Sequence, residues 1–328
     1  MQDARDIEAG PDTRVGAEEL EARLAAALDG APGGDAGLFG PGSARWRVDR
    51  EAALFLGAGR ALLMQLAHPW VAAAIVRHSD TLDDPVGRFH RTFGTVYAMV
   101  FGTEERALAA ARALHRRHAP VEGVLRQGVG RFPAGSAYAA NNPAALAWVQ
   151  ATLVDTALRV HDLVLPPLPH EERQRYWRES RRMGALFGIP EALLPADWAG
   201  FQAEMARTLA GDPQAGDTLG VSAEARVLAD RLLAGARPWL APPGWYRDLT
   251  AQLLPRRLAR AFGLDTGPEA AARAGRALAR LRTLYPVLPD ALRFVGPYQE
   301  ARARLSGDAS PRPVTALANL FWIGRARL

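Results

Sequence analysis

From Val48 onward the chain consists of long stretches rich in alanine, leucine and arginine, which proline and glycine interrupt at intervals. Such residues favour helices, whereas the alternating runs of β-branched residues that favour strands are few. Proline stands at or near the first turn of several predicted helices, where its missing N–H costs nothing. We therefore predict an all-α fold, with one domain over 41–328 and a glycine-rich, partly mobile N-terminal arm over 1–40.

The predicted arm carries one short amphipathic segment, and the rest of the predicted helices belong to the domain. The amphipathic segment covers residues 17–28, and the predicted helices cover residues 48–77, 85–101, 104–126, 143–164, 169–187, 196–209, 222–234, 243–261, 268–284 and 289–305. A bend is expected at His68-Pro69, because a residue before proline disfavours the helical conformation. Residues 211–220 are the best candidate linker, but no composition shift flanks them and no internal repeat stands out, which favours a single domain.

The composition excludes several classes of function. All 40 basic residues are arginine, and they are spread among 35 acidic residues rather than gathered in a basic run, which argues against a nucleic-acid partner. The absence of cysteine excludes disulfides, thiolate nucleophiles, iron–sulfur clusters and cysteinate haem ligation. The HExxH, GxSxG and P-loop motifs are also absent, so a zinc hydrolase, a serine hydrolase and a nucleotide enzyme are not expected.

The most apolar stretch, 51–76, contains Glu51, Arg60, Gln65 and His68. A lipid-facing span would tolerate these side chains poorly, so we predict a core helix there and no transmembrane segment. Residues 1–34 are acidic and rich in glycine and alanine, without the order of a secretory signal. We therefore expect a cytoplasmic protein.

The segment Arg88-Phe89-His90-Arg91-Thr92 is the first candidate for chemistry. Positions 88, 91 and 92 stand at i, i+3 and i+4, so one helical face would carry two guanidinium groups and a hydroxyl. At the border of a core, such a face could bind a carboxylate or hydrogen-bond dioxygen on a haem iron. The alternative is an ordinary surface cluster of arginines paired with Asp83, Asp84 or Glu104.

A histidine on the next predicted helix is the second candidate. The stripe to which it belongs consists of Ala107, Ala111, Leu114, His118 and Val121. Helical spacing places His118 on the core-facing side, where the alanines leave room for a flat prosthetic group, and a neutral imidazole there could ligate iron. The alternative is a hydrogen-bonded core histidine or a helix-end cap before Pro120. His68, in apolar surroundings, is the second candidate for an axial ligand.

One carboxylate falls in a predicted helix that is apolar nearly all round. Asp155 shares a stripe of this helix with Trp148, Thr152 and Arg159. A buried carboxylate needs a partner, and Arg159 at i+4 is close at hand. We interpret Asp155 as one half of a buried ion pair.

Taken together, these residues resemble the MpaB-type oxygenase family, which includes bacterial and fungal proteins and the latex-clearing proteins. The resemblance covers residues 48–264 and rests on the order and spacing of short markers. They are Gly57-Ala58-Gly59-Arg60-Ala61-Leu62-Leu63, Gln65-Leu66-Ala67-His68-Pro69, His78-Ser79, 88–92, Phe101-Gly102-Thr103, 118–123, Asn142-Pro143, 148–155, Gly188-Ile189-Pro190, Leu194-Pro195 and Leu254-Pro255 with Arg257. The resemblance implies an all-helical, partly globin-like haem b protein, with a histidine on the iron and an Arg-x-x-Lys-Thr segment on the distal side.

By this resemblance, His118 would be the proximal haem ligand, and Arg88 and Thr92 would lie in the distal pocket. Arg91 stands where latex-clearing proteins have a lysine that can act as a sixth ligand. Because arginine stays protonated and is a poor iron ligand, the expected sixth position is open or filled by water. Gln150 stands where relatives often carry histidine, so a role for that histidine is not carried over.

The sequence therefore predicts a haem b-dependent oxygenase that uses dioxygen and a hydrophobic, isoprenoid-like small molecule. Arg88, Arg91 and Thr92 are the predicted catalytic residues, His118 is the predicted metal ligand, and Arg88 and His68 are further candidates for cofactor binding. The apolar wall of the pocket is predicted to include Leu62, Leu66, Phe89, Phe93 and Trp148. The alternatives are a non-catalytic protein that binds haem or a hydrophobic ligand, and a metal-free helical interaction protein.

Overall fold

A computed structural model describes residue 10 and residues 13–79, 83–211, 216–235, 242–308 and 312–328. Over this part of the chain the all-α prediction is confirmed, since the only sheet is a two-stranded hairpin. The helices are α1 (Ala17–Leu28), α2 (Ala44–Asp49), α3 (Ala58–Leu66), α4 (Pro69–His78), α5 (Pro85–Phe101), α6 (Glu104–His118), α7 (Pro143–Val164), α8 (His170–Leu186), α9 (Trp198–Ala210), α10 (Ala223–Ala234), α11 (Gly244–Leu253), α12 (Arg256–Ala261), α13 (Pro268–Leu284), α14 (Asp290–Arg293), α15 (Gly296–Leu305) and α16 (Pro313–Ile323). The strands are β1 (Glu122–Val124) and β2 (Ala137–Ala139), which pair antiparallel.

Several helices begin and end where the sequence predicts, because local signals mark their ends. Helices α5, α7 and α13 have the predicted bounds, and α1 coincides with the predicted amphipathic segment. At the start of α5 the Asp84 carboxylate accepts the Gly87 N–H at 2.8 Å. At the start of α7 the Asn142 side-chain oxygen accepts the N–H groups of Ala144 and Ala145 at 3.0 and 3.1 Å. These side chains satisfy N–H groups that have no partner within the helix.

The prediction of one helix over 48–77 is wrong, because the segment is divided among α2, a 3-10 segment, α3 and α4. The break at His68 is confirmed, and this residue is extended before the proline. An earlier break lies at Glu51, whose backbone bridges to Phe294 and whose carboxylate accepts two bonds from Arg293 at 2.8 and 2.9 Å. Arg293 lies 242 residues further along the chain, so no local pattern could indicate this break.

The predicted helix over 104–126 is too long. Helix α6 ends at His118, and the chain then turns into the hairpin, in which Gly123 pairs with Tyr138. Pro120 cannot continue a helical hydrogen-bond pattern, so it ends the helix two residues before itself.

The C-terminal part differs from the prediction in three places. The predicted helix over 243–261 divides into α11 and α12 before Pro255, and the one over 289–305 divides into α14 and α15. Helix α16 was not predicted at all. Its signals are Pro313 at the first helical position and Gly324, with a φ of 69°, after the last.

The described part of the predicted N-terminal arm, residue 10 and residues 13–40, packs on the body of the protein. Leu20, Leu24 and Leu38 are buried, and α1 lies against α8. Residues 1–9 and 11–12 of the arm, and residues 212–215 of the candidate linker, lie outside the described residues. Within the described ranges, no helix has both the length and the apolar character that crossing a bilayer requires.

A buried arginine connects the three helices α3, α7 and α11. The side chain of Arg60 on α3 is 1% exposed and donates to Asp155 at 2.5 Å, to the Thr156 hydroxyl at 2.5 Å and to the Leu253 carbonyl at 2.9 Å. Arg159 also donates to Asp155, at 2.9 Å, which confirms the predicted ion pair. The sequence did not indicate Arg60, the more deeply buried of the two partners.

Replacing Arg60 should therefore destabilise the fold far more than replacing Arg159. We expect Arg60→Ala to lower the free energy of unfolding by about 3–5 kcal/mol, because it leaves the buried Asp155 without its main counterion. Arg159→Ala should cost at most about 1 kcal/mol, because the Arg159 side chain is 56% exposed. Urea unfolding of both variants measures the difference, and equal losses would contradict a central role for Arg60.

Candidate active site

A cavity of about 550 Å³ lies among the helices that precede residue 190. Its size falls within the range of roughly 300–1,000 Å³ that is usual for small-molecule sites. Helix α7 lines it from Ala145 to Ala157, and most of the other lining side chains are apolar, among them Leu54, Val71 and Ile75. The cavity is therefore suited to an apolar ligand.

The predicted apolar wall is mostly wrong. Of its five residues only Phe93 lines the cavity. Trp148 turns away, and its indole N–H donates to the Met64 carbonyl at 3.0 Å. Phe89 packs edge-on against Phe55 at a ring separation of 5.2 Å. Tertiary packing decides which apolar side of each helix meets the cavity and which meets the core.

His118, the last residue of α6, lines this cavity as its stripe predicted. Ala107 and Ala111 of the same stripe are buried, and Leu114 lines the cavity beside the imidazole. Burial, together with the charge of Arg117, lowers the pKa of His118 to about 4, against a weaker opposing hydrogen bond with Asn141. The imidazole is thus neutral at pH 7, with a nitrogen lone pair to offer.

The three predicted residues of α5 line the same cavity. Arg88 donates to the Ser79 hydroxyl, and burial and the neighbouring Arg91 charge lower its pKa, although an arginine stays protonated. Arg91 is half-exposed and pairs with Asp84 at 3.1 Å. Thr92 lines the cavity and is exposed to solvent. The structure thus places Arg88, Arg91 and Thr92 with His118 around one cavity. The pair between Arg91 and Asp84 is one that the alternative, a surface cluster of paired arginines, also predicted.

His68 is not placed with them. It stands before α4, is buried, and packs against the rings of Trp70 and Phe132 at 5.7 and 5.4 Å. It does not line the cavity. Burial and then the Arg131 charge lower its pKa to about 3, so the ring is neutral and enclosed. Its candidacy as an axial ligand gains no support from its position.

Several polar residues of the cavity were not anticipated. Arg117 lies at its exposed side and donates to the Thr95 hydroxyl at 2.8 Å. Four more, Arg45, Asp49, Tyr97 and Tyr176, are buried where they line the cavity. An arginine and an aspartate at i and i+4 after the capping Ser43 were a local signal for the pair in α2. No local signal indicated that two tyrosines from other helices join them.

The buried state of His68 should make stability depend on pH. Its pKa is about 3 in the folded protein and 6.5 as the reference value, so only the unfolded chain takes up a proton as the pH falls through 6.5. Its contribution is fully present above that pH and is lost on acidification. Between pH 7 and pH 5 the unfolding free energy of the parent should fall by about 2 kcal/mol more than that of His68→Asn, which has no imidazole to protonate. Urea unfolding at both pH values measures this, and parallel losses would refute it.

The family described as the catalytic domain of the ER-bound oxygenases mpaB and B′ and of rubber oxygenase matches residues 45–284. No curated protein and no solved structure shows significant similarity to the chain. The matched range contains every residue that lines the cavity, whereas α14, α15 and α16 lie beyond it.

Proposed function

The chain belongs to the family of mpaB-type and rubber oxygenases, and on that premise we propose that it is a haem b-dependent oxygenase that acts on a hydrophobic, isoprenoid-like substrate. The observation that supports this most is the grouping of His118, Arg88, Arg91 and Thr92 around one largely apolar cavity. Such a cavity with a few convergent polar groups is the usual form of a small-molecule site.

The residues present fit a haem group. His118 offers a neutral imidazole, and the neighbouring Asn141 side chain could orient it, as outer contacts orient metal-bound histidines. No group of three or more acidic or histidine side chains in the described ranges is placed to hold a bare metal ion, and a haem needs only one such ligand. Arg88, Arg91 and Arg117 could bind the haem carboxylates. Haem, when bound, supplies the iron that reacts with dioxygen.

The roles of the chain's own residues follow from their chemistry. Arg88 and Thr92 are hydrogen-bond donors that can stabilise negative charge as it develops in the cavity. Arg91 stays protonated, so it can orient an anionic group but would be a poor ligand for a haem iron. The apolar wall of α7, which includes Val149 and Leu153, can hold a hydrocarbon chain and exclude water.

The proposal has one alternative from another class, a protein that binds haem or a hydrophobic ligand without turnover. The same cavity would serve it, so only turnover separates the two. Cytoplasmic residence and a single domain over 41–328 remain predictions from the sequence.

Haem binding should depend on His118. Protein expressed with a haem supply should show a Soret band that is lost in His118→Ala, because the variant lacks the imidazole that would hold the iron. The band should survive in His68→Ala, because that ring lies outside the cavity. An absorption spectrum of each purified variant decides the point. No band after reconstitution of the parent protein would rule out the haem proposal.

Oxygen consumption with a polyisoprenoid or fatty substrate should depend on Arg88. Losing a hydrogen bond from a charged donor costs about 1.5–3 kcal/mol, so Arg88→Leu should slow consumption by roughly 10–100-fold while the Soret band remains. Arg116→Leu is the matched control, because Arg116 is exposed on α6 and does not line the cavity. If the parent protein never exceeds free haem across such substrates, the enzyme proposal fails and the binding protein is favoured.

A further inference from the structure

One end of the cavity is polar and lies away from His118. There the Asp49 carboxylate accepts a hydrogen bond from the Tyr176 hydroxyl at 2.8 Å and pairs with Arg45 at 3.0 Å. All three side chains are buried, and all three line the cavity. Tyr97 on α5 lines the cavity as well and lies within electrostatic range of Asp49.

The two ends are separated along α7. His118 lies next to Asn141, which immediately precedes the cap of α7. Ser180 on α8 lies beside the middle of α7, because its carbonyl accepts a hydrogen bond from Gln150. Tyr176 lies one helical turn before Ser180 in α8. At 1.5 Å per helical residue, the polar end and the His118 end are on the order of 15 Å apart. A ligand at one end therefore need not touch the other.

Tyr97 is the fourth polar residue at this end of the cavity. Its side chain is 7% exposed, and its ring packs against Phe93, Phe101 and Trp322. Among the described residues, its hydroxyl has no hydrogen-bond partner. The hydroxyl is not enclosed by the protein but opens onto the cavity, so a group from outside the chain can bond to it there.

The charges at this end select the kind of partner. The charges of Arg45 and Asp49 cancel, so a charged head group would enter a neutral, desolvated environment at a high cost in free energy. Burial, and then the Asp49 charge, raise the pKa of Tyr97, which therefore remains a donor. A neutral hydroxyl could accept a hydrogen bond from Tyr97 and donate one to Asp49. A carboxylate could not donate, and Asp49 would repel it.

We propose that Arg45, Asp49, Tyr97 and Tyr176 form a subsite for a neutral hydroxyl, and that the cavity takes long apolar molecules that end in an alcohol. This inference rests on the proposed function, because it takes this cavity as the substrate site. It names the substrate class as amphiphilic alcohols rather than plain hydrocarbons.

The test compares three ligands of equal length on the full-length protein: dodecan-1-ol, tridecane and dodecanoic acid. Each displaces a fluorescent apolar probe from the cavity, so the readout requires no turnover. We expect dodecan-1-ol to bind roughly 10–100-fold more tightly than tridecane, which is the net effect of two additional hydrogen bonds, one from Tyr97 and one to Asp49. Tridecane or the acid binding as tightly as the alcohol would overturn the inference.

The variant Tyr97→Phe should remove the part of this preference that the Tyr97 hydroxyl supplies and leave tridecane binding unchanged. It should fold, because the hydroxyl that it removes has no partner in the described protein. Tyr298→Phe is the matched control, because the Tyr298 hydroxyl accepts from Arg50 at 3.0 Å and lies outside the cavity. A preference that survives undiminished in Tyr97→Phe would also overturn the inference, and if that variant does not fold, the ligand comparison on the parent protein decides.

Failure of this inference can be told apart from failure of the proposed function. A Soret band that depends on His118, with no preference for the alcohol, leaves the oxygenase proposal intact and removes only the subsite. A preference for the alcohol without any Soret band keeps the subsite and favours a hydrophobic-ligand binding protein.

Discussion

The contact between Arg60 and Asp155 holds the position of the helix that forms the longest wall of the cavity. Arg60 reaches from α3 to two residues of α7 and to the Leu253 carbonyl at the end of α11. A guanidinium group this deeply buried is tolerated only when its N–H groups are bonded and its charge is paired. Because any rotation of α7 would break these bonds, the side that carries Val149, Leu153 and Thr156 is held toward the cavity.

The same helices approach each other closely where two glycines stand. A Cβ at Gly57 would collide with the side chains of Thr156 and Val160, and one at Gly59 would lie 2.6 Å from the Thr250 hydroxyl. These contacts bring the start of α3 against α7 and α11 without side chains between them. The Gly57-Ala58-Gly59 pattern, which lacks the strand and third glycine of a dinucleotide site, is therefore explained by close packing.

The electrostatics of the cavity differ between its two ends. At one side, Arg88, Arg91, Arg117 and His118 all line the cavity, and burial, followed by the charge of Arg117, lowers the pKa of His118 and keeps its imidazole neutral. At the buried end, the charges of Arg45 and Asp49 cancel. Between them the wall is largely apolar. The side that carries Arg88, Arg91 and Arg117 thus favours anionic groups, such as the carboxylates of a cofactor, and the buried end favours neutral ones.

Local signals in the sequence determined the helices with clear caps, such as α5 and α7, and the spacing of Ala107, Ala111 and Leu114 determined which side of α6 carries His118. These are interactions within a few residues, so the sequence displays them directly. Only the tertiary structure decided that Arg60 is the partner of Asp155, that Phe93 rather than Phe89 or Trp148 faces the cavity, and that Tyr97 lines the same cavity as Asp49. Each depends on how one helix is rotated against another, and that rotation is set by packing between residues far apart in the chain.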